Sequence, residues 1–237
     1  MSSVIPLKRE VGVYELTPFT QLDYPGELAC IVWFAGCNLR CGYCHNPEMV
    51  RGVGKMPWEE VLFHLHKRKG RLTGVVFSGG EATLHPQIID YARQVKSLGF
   101  KVKLDSNGTR PDILRVLIQE NLLDMVAFDY KAPRHIYKRV TGVSERHWDK
   151  FSESLELLIH SPQVKLEVRT TVHTDLLSEE DVDIIRSDLE TRGYTGSYHV
   201  QNYRHGDTLG DMPRQSHIFN KETLPQGAKV KVMFRNF

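Results

Sequence analysis

The sequence predicts an α/β protein built on a parallel sheet, because six short apolar runs alternate along the chain with five amphipathic helical patterns. Alternation of this kind implies right-handed crossovers, which place neighbouring strands parallel to one another. Six strand–helix units fall short of the eight that close a TIM barrel. We therefore expect an open, partial TIM-type (β/α)6 barrel.

The predicted strands are short and rich in Val, Ile and Phe, as is typical of parallel strands that are buried on both faces. They cover residues 30–35, 74–77, 101–104, 125–128, 166–172 and 197–200. Apolar residues at helical spacing predict helices through 58–65, 88–95, 113–118, 151–159 and 182–189. The predicted helix starts and ends are marked by Pro57, Pro86, Pro111, Gly70, Gly99 and Gly193. The last apolar run, KVKVMF, is a further strand whose neighbour the sequence does not identify.

Length and composition are those of a globular protein with one large domain or two small ones. The chain has 237 residues, of which 41% are hydrophobic and 25% charged. We expect an N-terminal extension (1–27), the partial barrel (28–210) and a C-terminal extension (211–237). The net charge of +2 gives no reason to expect nucleic acid or a membrane as partner. The longest apolar stretch (28–37) is too short to span a bilayer, and the N-terminus lacks the apolar core of a secretory signal, so we expect a cytoplasmic protein.

Polar residues and glycines follow one predicted strand after another. The segments are 36–44, 78–81, 105–108, 129–131 and 201–205, and Arg169 lies within the fifth strand. Parallel α/β folds carry their functional residues at the carboxyl ends of the strands. We therefore expect these six segments to converge on one rim.

The four cysteines lie between positions 30 and 44, which argues against a disulfide framework. Cys37, Cys41 and Cys44 have C-x3-C-x2-C spacing, and three thiolates at this spacing can hold three irons of a cubane cluster. A zinc site with His45 as fourth ligand is the alternative, although adjacent Cys44 and His45 are awkwardly placed to bind one ion. Cys30 lies within an apolar strand and is interpreted as a buried structural thiol.

Several motifs resemble known families. CNLRCGYC resembles the C-x3-C-x-aromatic-C signature of the radical S-adenosylmethionine (SAM) superfamily, and SGGE resembles its glycine-rich motif. The segments LDSNG, DYKAP and YKRVTG resemble the activating enzymes of glycyl radical enzymes. Within that group, GVVFSGGEATLHPQ, EVRTTVH and HVQNYRHG most resemble the activating proteins of anaerobic ribonucleoside-triphosphate reductase, followed by pyruvate formate-lyase activating enzymes. The resemblance implies a partial barrel of the radical SAM type.

The resemblance also implies cofactors and the residues that bind them. The three clustered cysteines would hold a [4Fe–4S] cluster with one iron open to SAM. Lys131 would face the SAM carboxylate, Tyr43 the adenine and His205 the ribose, while Asp105 and Asp129 lie at positions that elsewhere gather around SAM and a monovalent cation. The implied SAM-binding residues are Tyr43, Gly79, Gly80, Glu81, Asp105, Ser106, Asp129, Lys131, Arg169 and His205.

Structural alternatives exist for several of these residues. Residues 105–108 are also an ordinary turn sequence, because Asn-Gly adopts positive φ readily. Asp129 and Lys131 could form a structural ion pair, and Arg169 could pair with Glu167 in the same way.

The reaction implied by the resemblance is radical generation on a partner protein. Flavodoxin or ferredoxin would reduce the cluster, SAM would be cleaved reductively, and a hydrogen atom would be removed from a glycine of a partner enzyme. The motifs most resemble the proteins whose partner is anaerobic ribonucleotide reductase. The alternatives are a pyruvate formate-lyase-type activating enzyme, a radical SAM enzyme acting on a small molecule or a tRNA base, and a non-catalytic zinc module.

Overall fold

The computed structural model describes residues 12–225 and 228–237, and its strands form an eight-stranded sheet in chain order. The strands are β1 (Val13–Thr20), β2 (Ala29–Phe34), β3 (Gly74–Gly79), β4 (Lys101–Ser106), β5 (Met125–Asp129), β6 (Lys165–Val172), β7 (Tyr198–Asn202) and β8 (Val232–Arg235). Strands β2 to β7 pair in parallel. They correspond to the six predicted strands, and the expected open partial barrel is confirmed.

The barrel is open because β1 and β8 are the two edges of the sheet. β1 pairs antiparallel with β2, and β8 pairs parallel with β7, which identifies the neighbour of the KVKVMF run. Both edge strands come from the predicted extensions, so these segments share the sheet of the barrel. The expectation about a secretory signal rests on residues 1–16, of which 1–11 lie outside the described residues.

The helices are α1 (Pro47–Arg51), α2 (Trp58–Arg68), α3 (Ile88–Ser97), α4 (Pro111–Gln119), α5 (Tyr137–Thr141), α6 (Arg146–Ile159) and α7 (Glu179–Thr191). The five longer ones match the five predicted stripes. Pro111 is the first residue of α4, and Pro57 directly precedes α2, but Pro86 lies two residues before α3 begins. Helices α2, α3 and α7 are followed by glycines with positive φ, as expected of helix ends. Among the described residues, no helix combines the length and apolar character needed to cross a membrane.

The two faces of the sheet are buried in different ways. Residues on the convex face, such as Val75, Val102 and Val126, pack against the helices in the main core. The concave face carries a second apolar cluster, formed by Tyr24, Ala29, Ile31, Val76 and Met125. Because side chains alternate along a strand, Lys103 and Asp105 lie on this concave face, toward the carboxyl end of β4. The end of the barrel at which the parallel strands terminate is therefore polar, while the end at which they begin is apolar.

Candidate active site

Twelve of the thirteen sequence-predicted site residues line one cavity of about 210 Å³ at the carboxyl ends of the strands. They come from the segments that follow β2, from the ends of β3, β4 and β5, and from the middle of β6. The convergence expected from strand–helix topology is thus present. The exception is His205, which lies outside this cavity.

The cysteine loop connects β2 to α1 and is fixed by backbone hydrogen bonds. The Arg40 amide donates to the carbonyl of Thr141 at 2.7 Å, and the Gly36 amide donates to the carbonyl of Met49 at 2.7 Å. Burial raises the pKa of the Cys37 thiol to about 12 and that of Cys41 to about 11. Because metals bind the thiolate form, loading of this site must release protons.

Cys30 differs from the other three cysteines. It is fully buried within β2, in the apolar core between the sheet and the helices. Burial raises its pKa to about 12. These surroundings are those of a structural thiol, as the sequence suggested.

The glycine-rich segment after β3 packs directly against the cysteine loop. The amide of Gly80 donates to the carbonyl of Phe34, and the amide of Glu81 donates to the carbonyl of Gly36, both at 2.9 Å. A Cβ at Gly80 would overlap the carbonyl oxygen of Gly36 and lie 3.3 Å from the Cβ of Cys37. Glycine is therefore required here for the approach of two loops, in addition to any approach of a ligand.

An ion-pair network crosses the floor of the cavity. Arg169 Nε lies 2.5 Å from Asp129 Oδ1, and Lys131 Nζ lies 2.9 Å from Asp129 Oδ2. Arg169 also approaches Asp105 at 3.5 Å, and Asp105 pairs with the buried Lys103. Burial would raise the pKa of Asp129, but the charges of Arg169 and Lys131 outweigh it and hold that pKa well below its usual range. Three cations against two carboxylates leave one positive charge in excess, which suits an anionic ligand group.

Both oxygens of the Glu81 carboxylate accept hydrogen bonds from other groups of the protein. It is 1% exposed, and its Oε1 accepts hydrogen bonds from the Thr83 hydroxyl at 2.5 Å and the Ser106 hydroxyl at 3.0 Å. Its Oε2 accepts the backbone N–H of Asn107 at 2.7 Å. Glu81 thus joins the loop after β3 to the loop after β4, rather than offering a free carboxylate for an ammonium group.

The structure tests the two ion pairs that the sequence suggested as structural alternatives. The Asp129–Lys131 ion pair exists. The suggested pairing of Arg169 with Glu167 is wrong, because the parallel register places Asp129 opposite Arg169. Glu167 instead accepts two hydrogen bonds from Arg235 of β8, both at 3.0 Å.

The histidines that the sequence drew attention to have other contacts. The Nε2–H of His45 donates to the carbonyl of Arg204 at 2.6 Å, and the His45 ring stacks on Tyr203. These contacts hold His45 against the segment after β7, although its ring also borders the cavity. His205 lies in a separate groove that also contains Arg214 and His217. The contact of His205 with a SAM ribose stays a prediction, and His205 is not among the residues that line the main cavity.

The structure adds cavity residues that the sequence interpretation missed. Ser78 donates a hydrogen bond to Asp105 at 2.9 Å, and Asn107 lies beside Cys37. Both occur within segments already predicted to reach the rim, so their position was a usable signal. Tyr43 was predicted, and its buried hydroxyl has no hydrogen-bond partner among the described residues. Buried polar atoms are usually hydrogen-bonded, so this unsatisfied hydroxyl is consistent with a ligand group bound beside it.

These residues fit the cofactors implied by the sequence motifs. Three thiols lie on one loop, glycines bring the neighbouring loop against them, and the excess positive charge lies in the same cavity. Thiolates are the usual ligands of iron–sulfur clusters, and a lysine and an arginine are suitable partners for the carboxylate of SAM.

Comparison with known proteins agrees with this site. Residues 31–187 match the family model of the radical SAM superfamily. A protein of Methanocaldococcus jannaschii named as a glycyl-radical enzyme activating enzyme is 30% identical over 217 residues, which cover 87% of each chain. The pyruvate formate-lyase 1-activating enzyme of Escherichia coli K12 is 30% identical over 171 residues, covering 68% of this chain and 67% of that enzyme.

Solved structures agree on the fold. Streptococcus suis SuiB superimposes with a TM-score of 0.63 at 14% identity, covering 85% of this chain and 47% of SuiB. The enzyme anSMEcpe with bound AdoMet superimposes with a TM-score of 0.56 at 21% identity, covering 72% of this chain and 49% of that one. This chain thus spans about half the length of these structures. Taken with the cysteine loop and the charged cavity, the matches establish that the chain belongs to the radical SAM superfamily and, within it, to the glycyl-radical enzyme activating enzymes.

Proposed function

We propose that this chain generates a glycyl radical on anaerobic ribonucleoside-triphosphate reductase, with flavodoxin or ferredoxin as the electron donor. Enzymes of the radical SAM superfamily use a [4Fe–4S] cluster and SAM. The observation that carries the proposal is that the three thiols and the Asp129–Lys131–Arg169 network line the same cavity.

The residues of this cavity would divide the work of binding. Cys37, Cys41 and Cys44 would ligate three irons of the cluster. When bound, the cluster would supply the electron for reductive cleavage of the SAM sulfonium. Lys131 and Arg169 would hold the methionine carboxylate, because Asp129 keeps both cations in place and charged.

The cavity walls would also exclude water. Cys41 and Tyr43 are 6% and 3% exposed, and Ser106 and Glu81 close the side formed by the loops after β3 and β4. A radical that abstracts hydrogen must be shielded from other hydrogen donors, so enclosure is part of the chemistry. The open side of the barrel, between β1 and β8, would admit the glycine-bearing loop of the partner.

The identity of the partner rests on the motifs around the cavity. GVVFSGGEATLHPQ and EVRTTVH most resemble the activating proteins of anaerobic ribonucleotide reductase. Pyruvate formate-lyase is the second candidate, because the activating enzymes of Clostridium pasteurianum and E. coli that are named for it are 32% and 30% identical to this chain.

An anaerobic activation assay tests the proposal. The reconstituted chain, SAM and dithionite would be mixed separately with anaerobic ribonucleotide reductase and with pyruvate formate-lyase, and the glycyl radical measured by electron paramagnetic resonance (EPR). We expect a radical signal on the reductase and a weaker or absent signal on the lyase. A signal on the lyase alone would establish the second candidate, and cleavage of SAM without a radical on either protein would contradict both.

A further inference from the structure

We propose that Asn107 is a positioning residue for the iron–sulfur cluster: its side-chain amide donates a hydrogen bond to the Cys37 thiolate and thereby raises the reduction potential of the cluster. Asn107 Nδ2 lies 3.9 Å from Cys37 Sγ. The inference concerns residues of this chain beside the cysteine loop, and it does not depend on which partner protein is activated.

The orientation of the Asn107 amide is fixed by a backbone group. Asn107 Oδ1 accepts the backbone N–H of Thr109 at 3.0 Å. A backbone N–H can only donate, so the oxygen of the amide must face Thr109 and the NH₂ group must face Cys37. The donor toward the sulfur therefore follows from the fold.

Three side chains close a ring of hydrogen bonds around this amide. Asn107 Nδ2 donates to Asn38 Oδ1 at 3.0 Å, and Asn38 Nδ2 donates to the Thr109 hydroxyl at 2.7 Å. The Thr109 hydroxyl donates in turn to Asn107 Oδ1 at 2.6 Å. One N–H of Asn107 is used in this ring, and the other remains available for the sulfur. Asn107 and Thr109 are 5% and 1% exposed, so water does not compete for these groups.

The backbone of Asn107 is held as firmly as its side chain. Its N–H donates to the buried carboxylate of Glu81 at 2.7 Å, which ties the loop after β4 to the glycine-rich loop after β3. Gly108 has a φ of +75°, and a Cβ there would overlap the ring of Phe128. The Asn-Gly pair is thus a turn, as the sequence allowed, and the turn places the amide beside the cysteine.

The effect on the cluster follows from charge. One-electron reduction of a [4Fe–4S] cluster from its 2+ to its 1+ state breaks no bond and adds one negative charge. Donors to the ligating sulfur stabilise the more negative state, and so raise the reduction potential. Asn107 shares this role with the backbone N–H of Leu39, which lies 3.4 Å from Cys37 Sγ. Removing the amide should make the cluster harder to reduce.

The test is a redox titration of the anaerobically reconstituted chain without SAM, with dithionite as reductant and EPR of the reduced cluster as readout. At a fixed potential, we expect Asn107→Asp to lower the ratio of reduced to oxidised cluster about tenfold, which is about 59 mV for one electron. Asn107→Ala should lower the ratio by less, because it removes the donor without adding a carboxylate. The matched control is Thr109→Val, which removes the hydroxyl of the ring but keeps the backbone N–H that orients the amide, and its ratio should fall less than that of Asn107→Ala.

Two outcomes of the titration would overturn the proposal. The first is full iron content with an unchanged ratio in Asn107→Ala, because a drop confined to Asn107→Asp would come from the added carboxylate alone. The second is an equal drop in Thr109→Val, which would indicate general loosening of the loop.

If the Asn107 variants fail to retain iron, a measurement on the wild-type protein decides. The chain would be labelled with asparagine that carries ¹⁵N only in its side-chain amide, and pulsed EPR of the reduced cluster should detect a ¹⁵N coupling. Asn38 donates to Thr109 rather than to sulfur, so the coupling is expected from Asn107. Absence of any such coupling would overturn the proposal.

Discussion

At the scale of single residues, we expect the cysteines to divide into three cluster ligands and one structural thiol. Cys41→Ala should lose most of the iron taken up on anaerobic reconstitution, because a cubane held by two thiolates is poorly retained. Cys30→Ala is the matched control and should keep the iron, since Cys30 lies in the apolar core. Iron and sulfide analysis of both variants checks this, and equal iron loss in the two variants would contradict the separation.

Asp129 is expected to contribute to stability as well as to ligand binding. Asp129→Asn leaves Lys131 without its carboxylate partner and Arg169 with only the longer contact to Asp105, so the free energy of unfolding should fall by about 3 kcal/mol. Denaturant unfolding of the metal-free chain measures it. Asp112→Asn breaks an exposed pair with Arg110 and should cost less than about 1 kcal/mol. Equal effects in the two variants would mean that Asp129 is not embedded in a buried network.

His85 should make stability depend on pH. Its ring is buried against Phe34 and Tyr91, its Nδ1 accepts the Gln87 amide, and burial lowers its pKa to about 4. The unfolded chain takes up the proton near pH 6.5, before the folded chain does, so the free energy of unfolding should decrease as the pH falls from about 6.5 to about 4.

His85→Asn should remove this contribution to the pH dependence while keeping an acceptor for Gln87. Denaturant unfolding of wild type and variant across that pH range is the measurement. An identical pH slope for the two proteins would show that His85 does not remain neutral in the fold.

The residue-level misses have a common physical cause. Arg169 was compared with Glu167, two positions away on the same strand, but the parallel register gives it Asp129 on the neighbouring strand. An Asn-Gly turn was a sufficient explanation for the presence of Asn107 in the sequence. Only the hydrogen-bonded ring with Asn38 and Thr109 indicates a further role for its side chain. Both features depend on segments far apart in sequence, which local pattern does not specify.

At the scale of elements, β8 is attached to the barrel by a side-chain contact as well as by backbone pairing. Arg235 reaches across β7 to Glu167 of β6, whose side chain is 11% exposed. We expect Arg235→Ala to weaken this edge, so that amides of β8 exchange faster while those of β4 keep their wild-type rates. Hydrogen exchange monitored by mass spectrometry checks this.

The control for β8 is Arg115→Ala, which removes an exposed pair with Glu153. It should leave exchange in β8 unchanged. Wild-type protection of β8 in Arg235→Ala would show that backbone pairing with β7 alone holds the edge strand.

Periodicity predicted the longer elements because their apolar stripes repeat over two or more turns. The helices α1 and α5 were missed, since five residues hold too little of the repeat to be recognised. The C-terminal run was recognised as a strand, but it follows β7 after a long connection whose described residues (203–225 and 228–231) form no strand and no α-helix. Sequence order therefore gave no guide to its neighbour.

At the scale of the whole molecule, the site was predictable because topology gathers it. Every parallel strand from β2 to β6 delivers its carboxyl end to the same rim, and twelve of the thirteen predicted residues meet there. His205 departs from the pattern because contacts with distant residues determine the path of the chain after β7. Gln215 donates a hydrogen bond to Asn202, and His173 contacts the carbonyl of Pro213, which holds this segment in a groove beside the cavity.

The central claim is that one cavity holds both a cluster and SAM, so that SAM can be cleaved there. The most direct measurement is 5′-deoxyadenosine formed by the anaerobically reconstituted wild-type chain with SAM and dithionite, alongside its iron and sulfide content. The account predicts about four irons and four sulfides per chain, with 5′-deoxyadenosine formed only when reductant is present. Bound zinc in place of iron, or SAM left intact by a fully loaded cluster under reducing conditions, would contradict it.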